Sequence, residues 1–351
     1  IVLWLGSLEG IAGRITLGAF VAFGIYVALL VWPLIALGWV VNLFQRGAAS
    51  MARLNKIFDT EPTIRAPEAP AHISLPRGAV EFSGVSFRYP DTDRLVLEDV
   101  SFVAEPGETV AVVGPTGSGK TTLISLIPRI HDVTSGHVAV DGVDVAKLDP
   151  KELRSLIGFV PQDPFLFSAT IEENIGLGLP GDEWSREERQ THDIPEGPTE
   201  DPDEVVAEAA RVAQLHDSIQ GFPQGWRTFL GERGINLSGG QKQRTTLARA
   251  VARDPKILIL DDALSAVDTS TEAHILEDLA KVMEGRTSFI ISHRVSAVMN
   301  ADLILVLDNG RIVERGRHEN LMSRGGTYAT LLRRQMLEED IEARVVGTAG
   351  D

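Results

Sequence analysis

The sequence predicts an α/β fold preceded by a membrane-spanning helix, on three observations. Residues 15–45 carry no charge and are apolar almost throughout. A β-branched segment at 109–113 runs directly into a glycine-rich loop and then into an apolar-periodic helix. A second short apolar run at 257–260 ends in two aspartates. The first needs lipid around it, and the other two are the strand-to-helix alternation from which parallel sheets are assembled.

The apolar run is long enough to cross a hydrocarbon core, for which about 20 residues suffice. It is apolar on every face, which a helix half-facing water is not. Trp32 and Trp39 suit an interface, and Pro33 removes a backbone donor and should kink the helix. Arg46, Arg53 and Lys56 follow the run while only Glu9 and Arg14 precede it, so the C-terminal side is expected in the cytoplasm. Residues 1–5 then read as the end of a preceding span, 6–14 as a short outside loop, and 46–58 as a helical extension out of the bilayer. The chain opens on Ile1-Val2-Leu3 without Met or a basic segment, as expected of a piece of a longer protein rather than of a signal peptide. The expected organisation is the end of a transmembrane domain at 1–59, a Pro- and Ala-rich linker at 60–78, a soluble domain at 79–335 and a tail at 336–351.

Bulk composition narrows the function. The 351 residues allow more than one unit, and the net charge of −16 without a basic stripe argues against nucleic acid as a partner. With no cysteine, disulfides, thiolate catalysis and Cys-type zinc sites are excluded.

The loop after residue 113 reads Gly114-Pro115-Thr116-Gly117-Ser118-Gly119-Lys120-Thr121-Thr122, which fits G-x-x-x-x-G-K-[ST] between a strand and a helix. Glycines let backbone N–H groups turn toward phosphates, and the helix N-terminus adds a favourable dipole. Lys120 is placed to reach the β- and γ-phosphates and Thr121 to ligate Mg²⁺. Asp261, at the end of the 257–260 strand, is the expected carboxylate on the metal side, acting through water. These residues predict a P-loop NTPase taking ATP and Mg²⁺.

Leu237-Ser238-Gly239-Gly240-Gln241, followed by a helical run at 242–253, resembles the signature motif of the ATP-binding cassette (ABC) family. The resemblance covers about 80–335 as a nucleotide-binding domain, and residues 1–60 resemble the end of an exporter membrane domain. It implies a RecA-like core with an antiparallel β subdomain and a helical subdomain, the latter at about 155–250. It further implies that Tyr89 stacks on adenine and that Gln162 senses Mg²⁺ and the attacking water. Ser265-Ala266-Val267-Asp268 resembles the D-loop, and His293 the switch histidine that contacts the γ-phosphate. The segment Thr228-Phe229-Leu230-Gly231-Glu232-Arg233-Gly234 resembles the x-loop of exporters. In the family, Ser238, Gly239, Gly240 and Gln241 face ATP held by a second cassette, so the implied partner is a second half-transporter. The implied setting is a multi-pass protein of the cell membrane exporting a small molecule or lipid.

One position departs from the family pattern. The catalytic base is usually Glu, and here it is Asp262, one methylene shorter. This favours a heterodimer with one impaired ATP site and leaves a homodimer open. An ATP-gated regulatory or channel-like subunit and a soluble ABC ATPase are the competing readings, the second opposed by the uncharged run. Elsewhere, residues 176–204 are rich in acids, Pro and Gly and read as a solvated loop, and Asp308-Asn309-Gly310 is a hairpin signal. Residues 331–351 read as a helix that frays into a tail.

Overall fold

A computed structural model of the chain describes residues 1–90, 92–179, 203–292 and 298–336. Two compact units are present, Ile1–Thr63 and Ile64–Asp351.

The first unit is helical: α1 (Val2–Ile11) and α2 (Leu17–Phe58). Thr16 caps α2 by accepting a hydrogen bond from the Ala19 amide at 3.2 Å. At about 1.5 Å per residue, 42 residues make a rod of about 63 Å, roughly twice the hydrocarbon thickness. Pro33 lies inside it and none of its residues is buried. Trp32 is 74% and Phe44 78% exposed, an apolar surface that lipid would cover. The expected loop at 6–14 is mostly helix instead: α1 continues to Ile11, and the connection is confined to residues 12–16, where Gly13 takes φ +70°. Helix satisfies every backbone group internally, which an apolar surrounding demands.

In the second unit, β1 (Val80–Phe87), β2 (Leu97–Ala104), β4 (Ser135–Val140) and β5 (Val143–Asp144) form an antiparallel sheet in the order β2-β1-β4-β5. A second sheet has the order β10-β9-β3-β8-β7-β6, from β3 (Thr109–Val113), β6 (Ile157–Val160), β7 (Ile257–Asp261), β8 (Thr287–Ile291), β9 (Leu303–Asp308) and β10 (Arg311–Gly316). Its pairs are parallel except for the β9–β10 hairpin. That hairpin turns on Asn309 and Gly310, both at positive φ, as its Asn-Gly pair demands. All five residues of β7 are buried, so an unbroken apolar run was the right signature for a strand covered on both faces. After the short helices α3 (Lys120–Ser125) and α4 (Pro150–Ser155), a helical layer of α5 (Ile171–Gly176), α6 (Glu204–Val212), α7 (His216–Gln220) and α8 (Gly239–Ala252) builds a core around Leu166, Ile175, Val206 and Leu247.

Much of the Pro- and Ala-rich stretch lies along the second unit. The Ala71 amide donates to the Lys147 carbonyl at 2.9 Å, and His72 Nδ1 meets Glu152 Oε2 at 2.7 Å. The amides of Arg77, Gly78 and Ala79 all donate to the Asp141 carboxylate at 2.9–3.1 Å. These partners lie some sixty to eighty residues downstream, beyond any local reading of the segment. Most of the acidic segment at 176–204, the histidine at 293 and the tail beyond 336 lie outside the described residues.

Candidate functional site

Parallel strands deliver their C-terminal ends to one edge of a sheet, where ligands of open α/β folds bind. Here β3, β6, β7 and β8 do so. The chain leaving β3 forms the glycine-rich loop and enters α3 (Lys120–Ser125). Glycine is required at its two ends. A Cβ on Gly114 would lie 2.1 Å from the Leu307 carbonyl oxygen, and Gly119 caps α3 at φ +103° with the Val96 carbonyl oxygen 3.0 Å from where its Cβ would be.

Lys120 curls back into this loop. Its Nζ donates to the carbonyls of Gly114 and Pro115, each at 2.9 Å. Burial pushes the ammonium below the usual lysine range, with Asp261 and Asp262 pulling in the opposite direction. Thr121 Oγ1 donates to Asp261 Oδ1 at 3.2 Å, linking the loop to the end of β7. The Ser118 hydroxyl is buried and unpartnered, an orphan polar atom within the loop.

A cavity of about 230 Å³ opens here, lined by Thr116, Gly117, Gly119, Lys120, Thr121 and Thr122 together with Gln162, Asp261 and Asp262. Val96 and Ile291 complete the lining. Sequence reasoning singled out neither, because an apolar residue in a strand looks the same whether it faces a core or a ligand. Tyr89 is not in the lining: its hydroxyl meets Thr122 Oγ1 at 3.0 Å, and its ring packs edge-on against Phe87 and His131. His293 follows β8 but is outside the described residues.

Asp262 takes φ +48°, a left-handed conformation that Asp accepts more readily than Glu. Its amide donates to the Ile291 carbonyl at 2.9 Å, so the turn after β7 is tied to the end of β8. The oxygen donors Thr121 and Asp261 suit a hard cation such as Mg²⁺, which uses one or two carboxylates plus substrate phosphates.

The signature residues lie elsewhere. None of Ser238, Gly239, Gly240 and Gln241 lines the cavity. Ser238 is the N-cap of α8: its Oγ accepts from the Gln241 amide at 3.2 Å, and Gln241 Oε1 accepts from the Ser238 amide at 2.9 Å. This capping box occupies the Gln241 side-chain oxygen but leaves the hydroxyl proton of Ser238 to donate outward. Ser238 and Gly239 are exposed.

A third feature is apolar. Phe165 and Phe167, just beyond Gln162, are exposed and pack edge-on at 5.1 Å. The exposed Phe229 belongs to a strand-like bridge with Thr170, held by the Leu230 amide on the Ala169 carbonyl at 2.8 Å.

Residues 97–265 match the family model described as ABC transporter. Over 324 residues the chain is 41% identical to the "Probable multidrug resistance ABC transporter ATP-binding/permease protein YheI" of Bacillus subtilis, covering 92% of this chain and 52% of that protein. It is 39% identical to the "Multidrug resistance-like ATP-binding protein MdlA" of Escherichia coli, over 96% of this chain and 54% of the relative. The chain thus spans about half the length of the curated relatives it matches. A solved structure titled "Structure of a bacterial Atm1-family ABC exporter with ATP bound" superposes with a TM-score of 0.72 at 38% identity, over 92% of this chain and 53% of that one.

Proposed function

The chain belongs to the ABC transporter family, and we propose that it is the C-terminal part of an exporter subunit in which ATP hydrolysis drives efflux of a small molecule or lipid across the cell membrane. The observation that carries this reading is the convergence of Lys120, Thr121, Gln162, Asp261 and Asp262 on one cavity while the signature helix starts outside it. Such a site is half of one: loop, lysine and carboxylates are present, and a second set of donors has to come from another molecule.

In this proposal the backbone N–H groups of 116–122 and the Lys120 ammonium bind the ATP phosphates, and Tyr89, whose hydroxyl meets Thr122, stacks on adenine. Mg²⁺, held by Thr121 and Asp261 with Gln162 nearby, would neutralise phosphate charge. Asp262 orients a water for attack on the γ-phosphorus and accepts its proton, and His293 is the expected contact to the γ-phosphate. The products are ADP and inorganic phosphate. Ser238, Gly239 and Gly240 face ATP on a second half-transporter, with Gln241 shaping the helix start. Closed pairing binds ATP better than open pairing, so nucleotide shifts the population toward closure. The long helix α2 is the last membrane span of a multi-pass domain.

The shorter Asp262 favours a heterodimer in which this chain's own ATP site turns over slowly and its signature completes the faster site. A low-turnover regulatory subunit is the second reading that Asp262 supports. The discriminating experiment purifies the full-length protein alone in liposomes and measures substrate-stimulated ATPase before and after Asp262→Glu. We expect low turnover that rises several-fold with the substitution. Vigorous turnover of the unmodified protein alone would remove the heterodimer.

A further inference from the structure

The signature helix and the turn that carries Asp262 are fastened together by one buried side chain. Gln243, on the second turn of α8, is 3% exposed and lies outside every motif assigned above. Both ends of its amide go to the same short segment. Oε1 accepts from the Ala266 amide at 2.9 Å, and Nε2 donates to Ser265 Oγ at 2.9 Å and approaches the Asp262 carbonyl at 3.5 Å. The orientation is fixed by chemistry, because the Ala266 N–H can only donate.

The surrounding backbone makes that bracket tight. A Cβ on Gly240 would lie 2.8 Å from the Ala266 carbonyl oxygen, and one on Gly239 would lie 3.4 Å from Ala266 Cβ. The bridged turn starts at Asp262, which is already in the left-handed region, and the Ser265 amide closes it on the Asp262 carbonyl at 3.3 Å. A buried glutamine with a purely structural duty would need partners somewhere. This one spans from the helix that presents Ser238 to the backbone of the residue that presents the water-orienting carboxylate.

We propose that Gln243 is a positioning residue of the ATPase cycle, coupling the signature helix to the 262–266 turn so that the two shift as one piece. This rests on the exporter reading above. A closure that seats Ser238 on the partner's nucleotide would thereby also set the reach of Asp262 in this chain's own site. A carboxylate one methylene short has little slack, since displacements of the order of 1 Å cost up to about a hundredfold in rate.

The test uses the full-length protein in liposomes, with Gln243→Met (similar volume, no amide), Ser265→Ala and the double variant. ATPase kcat and KM are measured together with the affinity for a fluorescent ATP analogue and the melting temperature. Expected for Gln243→Met is a kcat lowered roughly tenfold or more, with analogue affinity and KM held within about twofold. Ser265→Ala, in an exposed turn that tolerates the change, should lose part of the same rate, and the double variant should be no slower than Gln243→Met alone. Wild-type kcat in Gln243→Met, parallel loss of kcat and analogue binding, or additive single effects would overturn the bracket while leaving the exporter reading intact. Absence of Lys120-dependent hydrolysis in the wild-type protein would overturn both.

Discussion

The two glycine-rich segments of the second unit each start a helix, and they are finished to different degrees. The phosphate loop is enclosed: Lys120 and Thr122 are buried, the Lys120 ammonium is held by two loop carbonyls, and a cavity stands in front of it. The signature segment is capped by its own Ser238 and Gln241, its Ser238 and Gly239 are exposed, and none of its residues lines that cavity. An enclosed anion site gains from low dielectric and fixed donors. An exposed helix start has donors and dipole but nothing to exclude water, and it becomes comparable only when another surface covers it. On the proposed reading, ATP binding and ATP turnover should separate, with the first depending on the enclosed segment and the second on both.

Three measurements can break that separation, the largest effect first. Lys120→Ala removes charge-assisted hydrogen bonds to phosphate, and affinity for a fluorescent ATP analogue should fall by about two orders of magnitude. Retained affinity would mean that the enclosed segment is not the binding element. Gly240→Ala places a methyl 2.8 Å from the Ala266 carbonyl oxygen. It should lower ATPase turnover about tenfold while analogue affinity stays unchanged, and equal loss of both would merge the two segments into one.

The third effect is a pH dependence. Burial depresses the Lys120 pKa, and a bound polyphosphate would raise it again by adding negative charge. Binding therefore takes up protons in the window between the free and bound values. Affinity is fully present below that window and falls as pH rises through the depressed free value, by up to about tenfold per pH unit for a single proton. Titrating analogue affinity upward from neutral pH checks the sign, and Lys120→Arg should flatten the profile because guanidinium keeps its proton.

Local pattern made much of the molecule legible. The loop 114–122 was readable because phosphate chemistry imposes both residue types and spacing on consecutive positions. β7 was readable because a fully covered strand is uniformly apolar, and the 308–310 turn because Asn and Gly tolerate positive φ. The reading of 6–14 as a loop differs from the structure because α1 runs on to Ile11, where Glu9 lies on the helix and pairs with Arg14 beyond it. The Pro- and Ala-rich stretch reads only as a linker because its anchors, Asp141 and Glu152, are remote in sequence.

Neighbouring residues alone specify the membrane-length helix, the glycine-rich loop between strand and helix, the strand that ends in Asp261 and the capped start of α8, since each answers to local backbone geometry or to solvent. Only the tertiary structure decided that Thr121 meets Asp261, that Val96 and Ile291 wall the cavity, and that Gln243 clasps the turn beginning at Asp262. The hydrogen bonds among those relations join residues 19 to 140 positions apart. They exist because sheet order and helix packing bring distant segments within hydrogen-bonding distance, and no periodicity along the chain encodes that proximity.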